Sequence, residues 1–203
     1  EVMFDMARHF PKLEFIDLGS GFKVPYHDDD YATDVNMLGN KLAVAFQEYE
    51  KENGRKLEVW FEPGKYLVSE SGYFVVKANV IKQTTATVFV GVNSGFNHLI
   101  RPMFYEAYHR IENISNPNGA ERIYTVVGNI CETDTFAWDR KLNEVREGDY
   151  LVFYNAGAYG FEMSSNFNSR LKPAEVLVKD GNNYLIRKRD EFADLLRNQI
   201  EVL

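Results

Sequence analysis

Cysteine is scarce in this sequence, and positive charge is not in excess. Cys131 is the single cysteine among 203 residues, so no internal disulfide can form, and one thiol fits a reducing compartment. The formal net charge is -7, which argues against nucleic acid or an anionic membrane surface as a partner, since both select basic proteins. These absences favour a cytoplasmic protein that binds neither.

Long apolar runs are also missing. None approaches the roughly 20 residues of a membrane span, and the start, with Glu1 and Asp5, does not predict a signal peptide. The four histidines show no metal-ligand spacing, so we predict no metal site. What the chain does have is a hydrophobic fraction of 45%, of which aromatics are a large part, and this is enough to build a sizeable core.

The first third of the sequence predicts a strand, a helix and a second strand. LEFIDL (13–18) and LEVWF (57–61) read as buried strands on either side of a helix over 31–53. Such a βαβ order indicates parallel strands, which must be covered on both faces. Two strands and one helix cannot do this, and a complete (β/α)8 barrel needs about 250 residues. We therefore expect residues 1–72 to be the C-terminal part of such a barrel, and the chain to be a fragment of a longer protein.

Residues 73–203 read differently. Apolar segments rich in β-branched and aromatic residues are separated by turn signals, and a short helix over 191–200 closes the chain. The β-rich segments cover 73–83, 85–93, 121–131, 149–155, 174–180 and 182–189. This spacing predicts an antiparallel, Greek-key-like barrel or sandwich. The expected fold class is thus α/β followed by all-β, with the boundary after residue 72.

Two loops stand at the ends of the predicted parallel strands. GSGF (19–22) can present backbone amides to a phosphate, although such a stretch alone is more often a plain turn. EPGK (62–65) follows the neighbouring strand, and active sites of α/β barrels lie at this end of the strands. In the second region, Arg101 suits a carboxylate ligand or is a surface cation, and Cys131 is a reactive thiol or an apolar filler.

Five segments in order carry a family resemblance: GSGF, EPGK, HLIRPMFYEAYH (98–109), GNICETDTF (128–136) and NAGAYGFEMSSNFN (155–168). Together they resemble the C-terminal half of the pyridoxal-phosphate (PLP) decarboxylases with the alanine-racemase fold. Within that family the resemblance is to the members that convert meso-2,6-diaminopimelate to L-lysine. It extends over essentially the whole chain and implies an enzyme, a PLP cofactor and an amino-acid substrate.

The resemblance also implies residue roles. The cofactor phosphate would be bound by Gly19, Ser20, Gly21, Gly64 and Tyr159. Glu62 would face the pyridine nitrogen and keep it protonated, as catalysis by this cofactor requires.

Substrate binding is implied for Lys65, Arg101, Tyr105, Glu132 and Tyr159. Glu132 would bind the distal ammonium, and Cys131 would protonate the product as a catalytic residue beside Glu62. In this family the cysteine and glutamate serve the neighbouring subunit, so the resemblance implies a homodimer with shared active sites.

The sequence departs from the family in three places. Lys65 replaces an arginine, and Asp134 and Thr135 shift an acidic group by one position. The lysine that carries the cofactor is missing, because Lys77 in VVKANV imitates its motif but lies in a predicted solvent-facing strand. Two alternatives stay open: a decarboxylase of ornithine, arginine or carboxynorspermidine, or a non-catalytic regulator of the same fold.

Overall fold

A computed structural model describes residues 1–202, which form two compact units, Glu1–Ser69 and Glu70 onward. The helices are α1 (Val2–Arg8), α2 (Val35–Asn53), α3 (Lys65–Val68), α4 (Arg101–Tyr105) and α5 (Phe192–Leu196). The strands are β1 (Phe15–Asp17), β2 (Glu58–Trp60), β3 (Phe74–Gln83), β4 (Val88–Val92), β5 (Ile111–Asn113), β6 (Glu121–Val127), β7 (Thr135–Asn143), β8 (Tyr150–Phe153), β9 (Glu175–Lys179) and β10 (Asn182–Arg187). Short 3-10 helices cover Ser69–Ser71, Phe161–Met163 and Phe167–Ser169. The domain boundary after residue 72 stays a prediction.

The first unit has the predicted strand–helix–strand order. Strands β1 and β2 pair in parallel, with Ile16 opposite Val59. Helix α2 begins at Val35 rather than at residue 31, because the Asp34 carboxylate caps it by accepting hydrogen bonds from the amides of Asn36 and Met37. It ends at Gly54, whose φ of 63° is the left-handed conformation that glycine adopts at low cost.

The two strands of the first unit are less buried than their sequences predict. Phe15 is 36% exposed and Trp60 is 47% exposed, and their rings stack with centroids 3.9 Å apart. The expectation of two buried strands was therefore wrong for this chain, because one helix layer covers only part of a two-stranded sheet. The small core consists of Ala7, Ile16, Tyr49 and Leu57.

The second unit is built on a six-stranded sheet in the order β5-β8-β3-β4-β6-β7. Every neighbouring pair is antiparallel except β4 and β6, which run parallel. The expectation of a purely antiparallel sheet was therefore wrong. The connection from β4 to β6 carries α4 and β5, so it is long enough to return the chain to the same end of the sheet.

The sheet of the second unit curls until its outer strands meet. The side-chain amide of Asn113, at the end of β5, donates to the Glu144 carbonyl just after β7, at 2.8 Å. The resulting mixed barrel is nearly closed, and it encloses a core that includes Tyr124, Leu151 and Phe153. Closure of this kind removes exposed strand edges.

Strands β5 and β7 were not predicted. Strand β7 places Phe136, Ala137 and Leu142 in the core, but Trp138 to Lys141 between them is mostly exposed, which breaks the alternation that marks a strand. The hairpin of β9 and β10 was predicted and stands as a separate two-stranded sheet. None of the described helices combines the length and apolar character needed to cross a membrane.

Candidate functional site

The two glycine-bearing loops of the first unit are hydrogen-bonded to each other. The amide of Glu62 donates to the carbonyl of Gly19 at 2.7 Å, and the amide of Leu18 donates to the carbonyl of Trp60 at 3.0 Å. These bonds extend the parallel pairing of β1 and β2 past the strand ends. The structure therefore brings together two loops that the sequence placed at adjacent strand ends.

The first loop has the backbone shape of an anion cradle. Gly19 and Gly21 have φ values of +68° and +99°, and a Cβ at either would meet no atom within 4 Å. The Gly19 amide donates to the Asp17 carboxylate at 2.7 Å, whereas within residues 1–202 no hydrogen bond is found for the amides of Ser20 and Gly21. Open space beside two available amides fits a phosphate group.

A cavity of about 180 Å³ adjoins this loop. Ser20 and Gly21 form part of its wall, and Leu18, Phe22, Thr33, Leu38, Leu42 and Phe61 form the rest. An apolar cavity beside polar backbone groups is typical of a small-molecule site.

The second loop presents charged groups to solvent. Glu62 and Lys65 are both exposed, and the Glu62 carboxylate makes no hydrogen bond or ion pair with the described residues. The Lys65 ammonium lies 5.9 Å from the centre of the Tyr26 ring. Gly64 directly precedes α3, so its amide is not used by the helix. This loop therefore offers an unengaged carboxylate and an amide beside the glycine loop.

Arg101 is the most unusual charged residue of the second unit. It is only 7% exposed, although it begins helix α4, and its Nε has no hydrogen-bond partner among the described residues. The guanidinium carbon lies 5.7 Å from the ring centre of Tyr105 and 5.8 Å from that of Tyr159. A buried cation without a carboxylate partner costs free energy unless a ligand supplies the negative charge. The surface-cation interpretation of Arg101 was wrong.

Tyr159 lies in a loop that is fixed by backbone contacts. Its φ is +58°, which is uncommon for a residue with a side chain, and its amide donates to the Glu162 carboxylate. The Ala156 amide donates to the Gly72 carbonyl at 2.8 Å, and a Cβ on Gly72 would overlap the backbone of Gly157. The Tyr159 side chain remains 39% exposed, so it is available to a ligand on the Arg101 side.

Cys131 and Glu132 lie in a different loop of the second unit. The expectation that Cys131 ends a strand was wrong, because β6 stops at Val127 and the segment up to β7 is a loop. Both side chains are exposed, and neither makes a hydrogen bond or ion pair with any described residue. The second unit therefore groups Arg101 with two tyrosines and leaves this pair facing outward.

Two buried titratable residues near these groups were not assigned from the sequence. Asp134 is 5% exposed, and burial raises its pKa although backbone amides donate to it. His109 is 1% exposed and donates through Nδ1 to the Tyr154 carbonyl at 2.8 Å. Burial, with the charges of Arg101 and Arg140, lowers the pKa of His109 to about 4. The carboxylate of Asp134 was visible in the sequence, but only a burial pattern could have marked it as internal.

Two family models match this chain. Residues 1–69 match the model described as "Pyridoxal-dependent decarboxylase, pyridoxal binding domain", and residues 65–157 match "Pyridoxal-dependent decarboxylase, C-terminal sheet domain". The two matches overlap at residues 65–69 and together cover residues 1–157. The chain therefore belongs to the pyridoxal-dependent decarboxylases, and PLP is the cofactor of this family.

Within the family, the chain is similar to diaminopimelate decarboxylases. It is 42% identical to the enzyme of Methanothermobacter thermautotrophicus over 93% of this chain and 44% of that relative. A crystal structure of the M. jannaschii enzyme superposes with a TM-score of 0.88 at 32% identity, covering 99% of this chain and 46% of that one. The Helicobacter pylori enzyme complexed with L-lysine gives 0.84 at 32% identity, with 97% and 48% covered. The chain thus spans about half the length of the relatives it matches.

Proposed function

We propose that the chain forms part of a PLP-dependent decarboxylase that converts meso-2,6-diaminopimelate to L-lysine and CO2. The observation that carries this proposal is Arg101, a buried guanidinium flanked by Tyr105 and Tyr159 with no carboxylate partner among the described residues. A diaminopimelate decarboxylase must bind a carboxylate that it does not remove, and a buried arginine suits this task. The similarity to relatives with this name supports the same substrate.

The cofactor-binding residues of the proposal belong to the first unit and to the Tyr159 loop. The amides of Ser20, Gly21 and Gly64 bind the phosphate, with Gly19 shaping the loop and the Tyr159 hydroxyl adding a donor. Glu62 holds a proton on the pyridine nitrogen. When bound, PLP supplies an electron sink for the electron pair left behind by the departing CO2.

The substrate-binding residues of the proposal are polar or charged side chains. Lys65, Arg101 and Tyr105 bind and orient the carboxylate that is retained, and Glu132 binds the distal ammonium. Cys131 then donates a proton to the carbon that has lost CO2. Because the side chains of Cys131 and Glu132 face outward without partners, we propose that they complete the site of a second subunit in a cytoplasmic homodimer.

The architecture proposed for the parent protein is a TIM-type barrel followed by a Greek-key-like sheet domain. The first unit supplies two strands and one helix layer of that barrel, with the domain boundary after residue 72. The cofactor-bearing lysine is expected outside this chain, since Lys77 lies exposed on strand β3 of the second unit.

Substrate choice is tested by measuring CO2 release from diaminopimelate, ornithine, arginine and carboxynorspermidine with the full-length protein. We expect diaminopimelate to give the highest kcat/KM, because Glu132 reaches further than the aspartate of ornithine-type relatives. A preference for ornithine would overturn the assignment of Glu132.

The regulatory alternative is favoured by Lys65 and Thr135, which replace residues typical of active members. Full-length protein that folds, but shows no PLP absorbance and no CO2 release, would support that alternative. For the 203-residue chain alone we expect no activity. Covalent attachment of PLP to Lys77, detected by borohydride reduction and mass spectrometry, would contradict the rejection of Lys77 as the cofactor-bearing lysine.

The shared site is tested by subunit complementation. A mixed dimer of one Cys131→Ala chain and one Glu62→Gln chain contains one site in which both residues are intact. We expect it to regain part of the activity that each homodimer lacks. Mixed dimers with no more activity than either parent would exclude a shared site.

A further inference from the structure

The loop that carries Cys131 and Glu132 closes on a single buried carboxylate. The amide of Ile130 donates to Oδ2 of Asp134 at 2.8 Å, and the Gly128 amide donates to the Asp134 carbonyl at 2.7 Å. Both bonds span the loop from its first residues to its last, so Asp134 fixes the two ends of the segment on which Cys131 and Glu132 sit.

The same carboxylate also binds a second segment. Its Oδ1 accepts a hydrogen bond from the Phe96 amide at 2.7 Å. A reciprocal bond runs from the Asn129 amide to the Ser94 carbonyl at 2.9 Å. Residues 94–98, here named the 94–98 segment, lead directly into helix α4, which begins at Arg101. The loop of Cys131 is thus tied to the segment that positions Arg101.

Two glycines make room for this carboxylate. A Cβ on Gly128 would overlap the carboxylate atoms of Asp134, and a Cβ on Gly95 would come within 2.6 Å of its Oδ2. At Gly128 every close atom belongs to the Asp134 side chain. The backbone of Gly128 is not in the left-handed region, so an alanine there would clash with Asp134 without straining its own φ.

Burial makes the two hydrogen bonds to the Asp134 carboxylate depend on each other. Asp134 is 5% exposed, and no cation forms an ion pair with it among the described residues. A buried carboxylate keeps its charge only where hydrogen bonds replace the lost water, and here two backbone amides do so. Releasing either amide would therefore weaken the hold on the other.

We propose that Asp134 is a positioning residue that fixes the loop of Cys131 and Glu132 onto the 94–98 segment and so sets the placement of both side chains. This proposal rests on the hydrogen bonds to Asp134 and on the close contacts that a Cβ on either glycine would make with its carboxylate. Its catalytic consequence rests on the proposed function, and its structural part does not. Asp134 lies one position earlier than the acidic residue of the family pattern, and its positioning role accounts for a carboxylate at this place.

The structural part is tested on the 203-residue chain by residue-resolved hydrogen exchange. In Asp134→Ala we expect the amides of Phe96 and Ile130 to exchange at least ten-fold faster, with the amides of Val126 and Leu142 in the neighbouring strands unchanged. Asp134→Asn keeps one acceptor oxygen, so only one of the two amides should lose protection. Asp139→Asn is the matched control, because it alters an exposed aspartate in β7 whose φ of 44° asparagine tolerates. Retained protection in Asp134→Ala would overturn the proposal.

Gly128→Ala disturbs the same contact by adding an atom beside the Asp134 carboxylate. Alone it should speed exchange at both amides, because its Cβ displaces the carboxylate. Added to Asp134→Ala it should have no further effect, since the clash has gone. Additive effects, or a loss of protection that extends to Val126 and Leu142, would show general loosening and overturn the proposal.

A nitroxide on Cys131, the only thiol of the chain, reports loop motion directly. Its spectrum should sharpen in Asp134→Ala and stay unchanged in Asp139→Asn.

The catalytic part is tested on the full-length enzyme. In Asp134→Asn we expect KM for diaminopimelate to rise at least ten-fold, because Glu132 is displaced. We also expect kcat to fall, because Cys131 is displaced. Asp139→Asn should stay within two-fold of the wild type in both. Lost amide protection with unchanged kinetics would overturn the catalytic consequence alone. A wild-type enzyme that lacks the activity would refute the proposed function and leave the exchange result standing.

Discussion

The two units present their functional loops in opposite ways. In the first unit, Glu62 and Lys65 project into solvent from a two-stranded sheet with a four-residue core. In the second, Arg101 is buried, and the loops around it are linked by hydrogen bonds through the 94–98 segment. The charged side chains of the first unit are therefore open to solvent, whereas Arg101 is enclosed by residues of its own unit.

The largest expected effect concerns the exposed carboxylate of the first unit. Glu62→Gln in the full-length enzyme should lower kcat by about 10²–10⁴-fold, because an amide cannot hold a proton on the pyridine nitrogen. Steady-state CO2 release measures this. Glu14→Gln, an exposed glutamate just before β1, is the control. A Glu62→Gln enzyme with kcat within two-fold of the wild type would remove Glu62 from the cofactor site.

The contribution of core packing to the stability of the second unit is tested by truncating one buried side chain. Phe153 is fully buried and packs against the rings of Phe74 and Phe136. Phe153→Ala should lower the free energy of unfolding of this unit by about 3–5 kcal/mol. Each unit has one tryptophan, Trp60 or Trp138, so denaturation can be followed by fluorescence in a Trp60→Phe background.

Phe192→Ala removes the same ring from a 73%-exposed position and should change the stability by less than about 0.5 kcal/mol. Equal losses for the two variants would contradict the assignment of Phe153 to the core of the second unit.

His109 gives the second unit a pH-dependent stability. Its pKa is lowered to about 4 in the folded protein, so the unfolded chain takes up a proton first as the pH falls. The stabilisation is complete above pH 6.5 and is lost as the pH falls toward 4, with a total on the order of 3 kcal/mol. Urea denaturation across this range measures it.

His109→Gln should flatten the slope relative to the wild type. His98, whose pKa burial also lowers, remains in both proteins and contributes equally to each. Identical slopes in the two proteins would contradict the assignment.

The smallest effect is expected at the residue that departs from the family pattern. Lys65→Arg restores a planar, bidentate donor at an exposed position and should lower KM for diaminopimelate by up to about ten-fold, with kcat little changed. Lys56→Arg, on an exposed lysine before β2, is the control. An unchanged or raised KM would indicate that Lys65 does not contact substrate.

Local patterns predicted the elements of this fold better than their burial and pairing. The strand–helix–strand order, the end of the first long helix at residue 53 and the solvent exposure of Lys77 are confirmed, because turn chemistry and alternation act over a few residues. The parallel pairing of β4 with β6 was missed, since pairing depends on contacts distant in sequence. The exposure of Trp60 was missed because an apolar run does not show what covers it.

The candidate site was also predicted only where its signals are local in sequence. Glycine loops at strand ends are local signals, and the bond between Glu62 and Gly19 bears out their predicted proximity. Burial of Arg101, Asp134 and His109 was not predictable, since each is enclosed by segments far away in sequence. For a charged residue, the sequence reports that it can ionise but not how much water surrounds it.

The strand order of the second unit also constrains how a nascent chain can fold. Strand β3 pairs with β8, whose residues Tyr150–Phe153 are synthesised long after Phe74–Gln83. Until then, β3 can pair with β4, β4 with β6, and β6 with β7, while β5 has no partner in the sheet, because it pairs only with β8. Contacts this distant in sequence slow folding, so during translation the barrel should stay open along one seam until β8 leaves the ribosome.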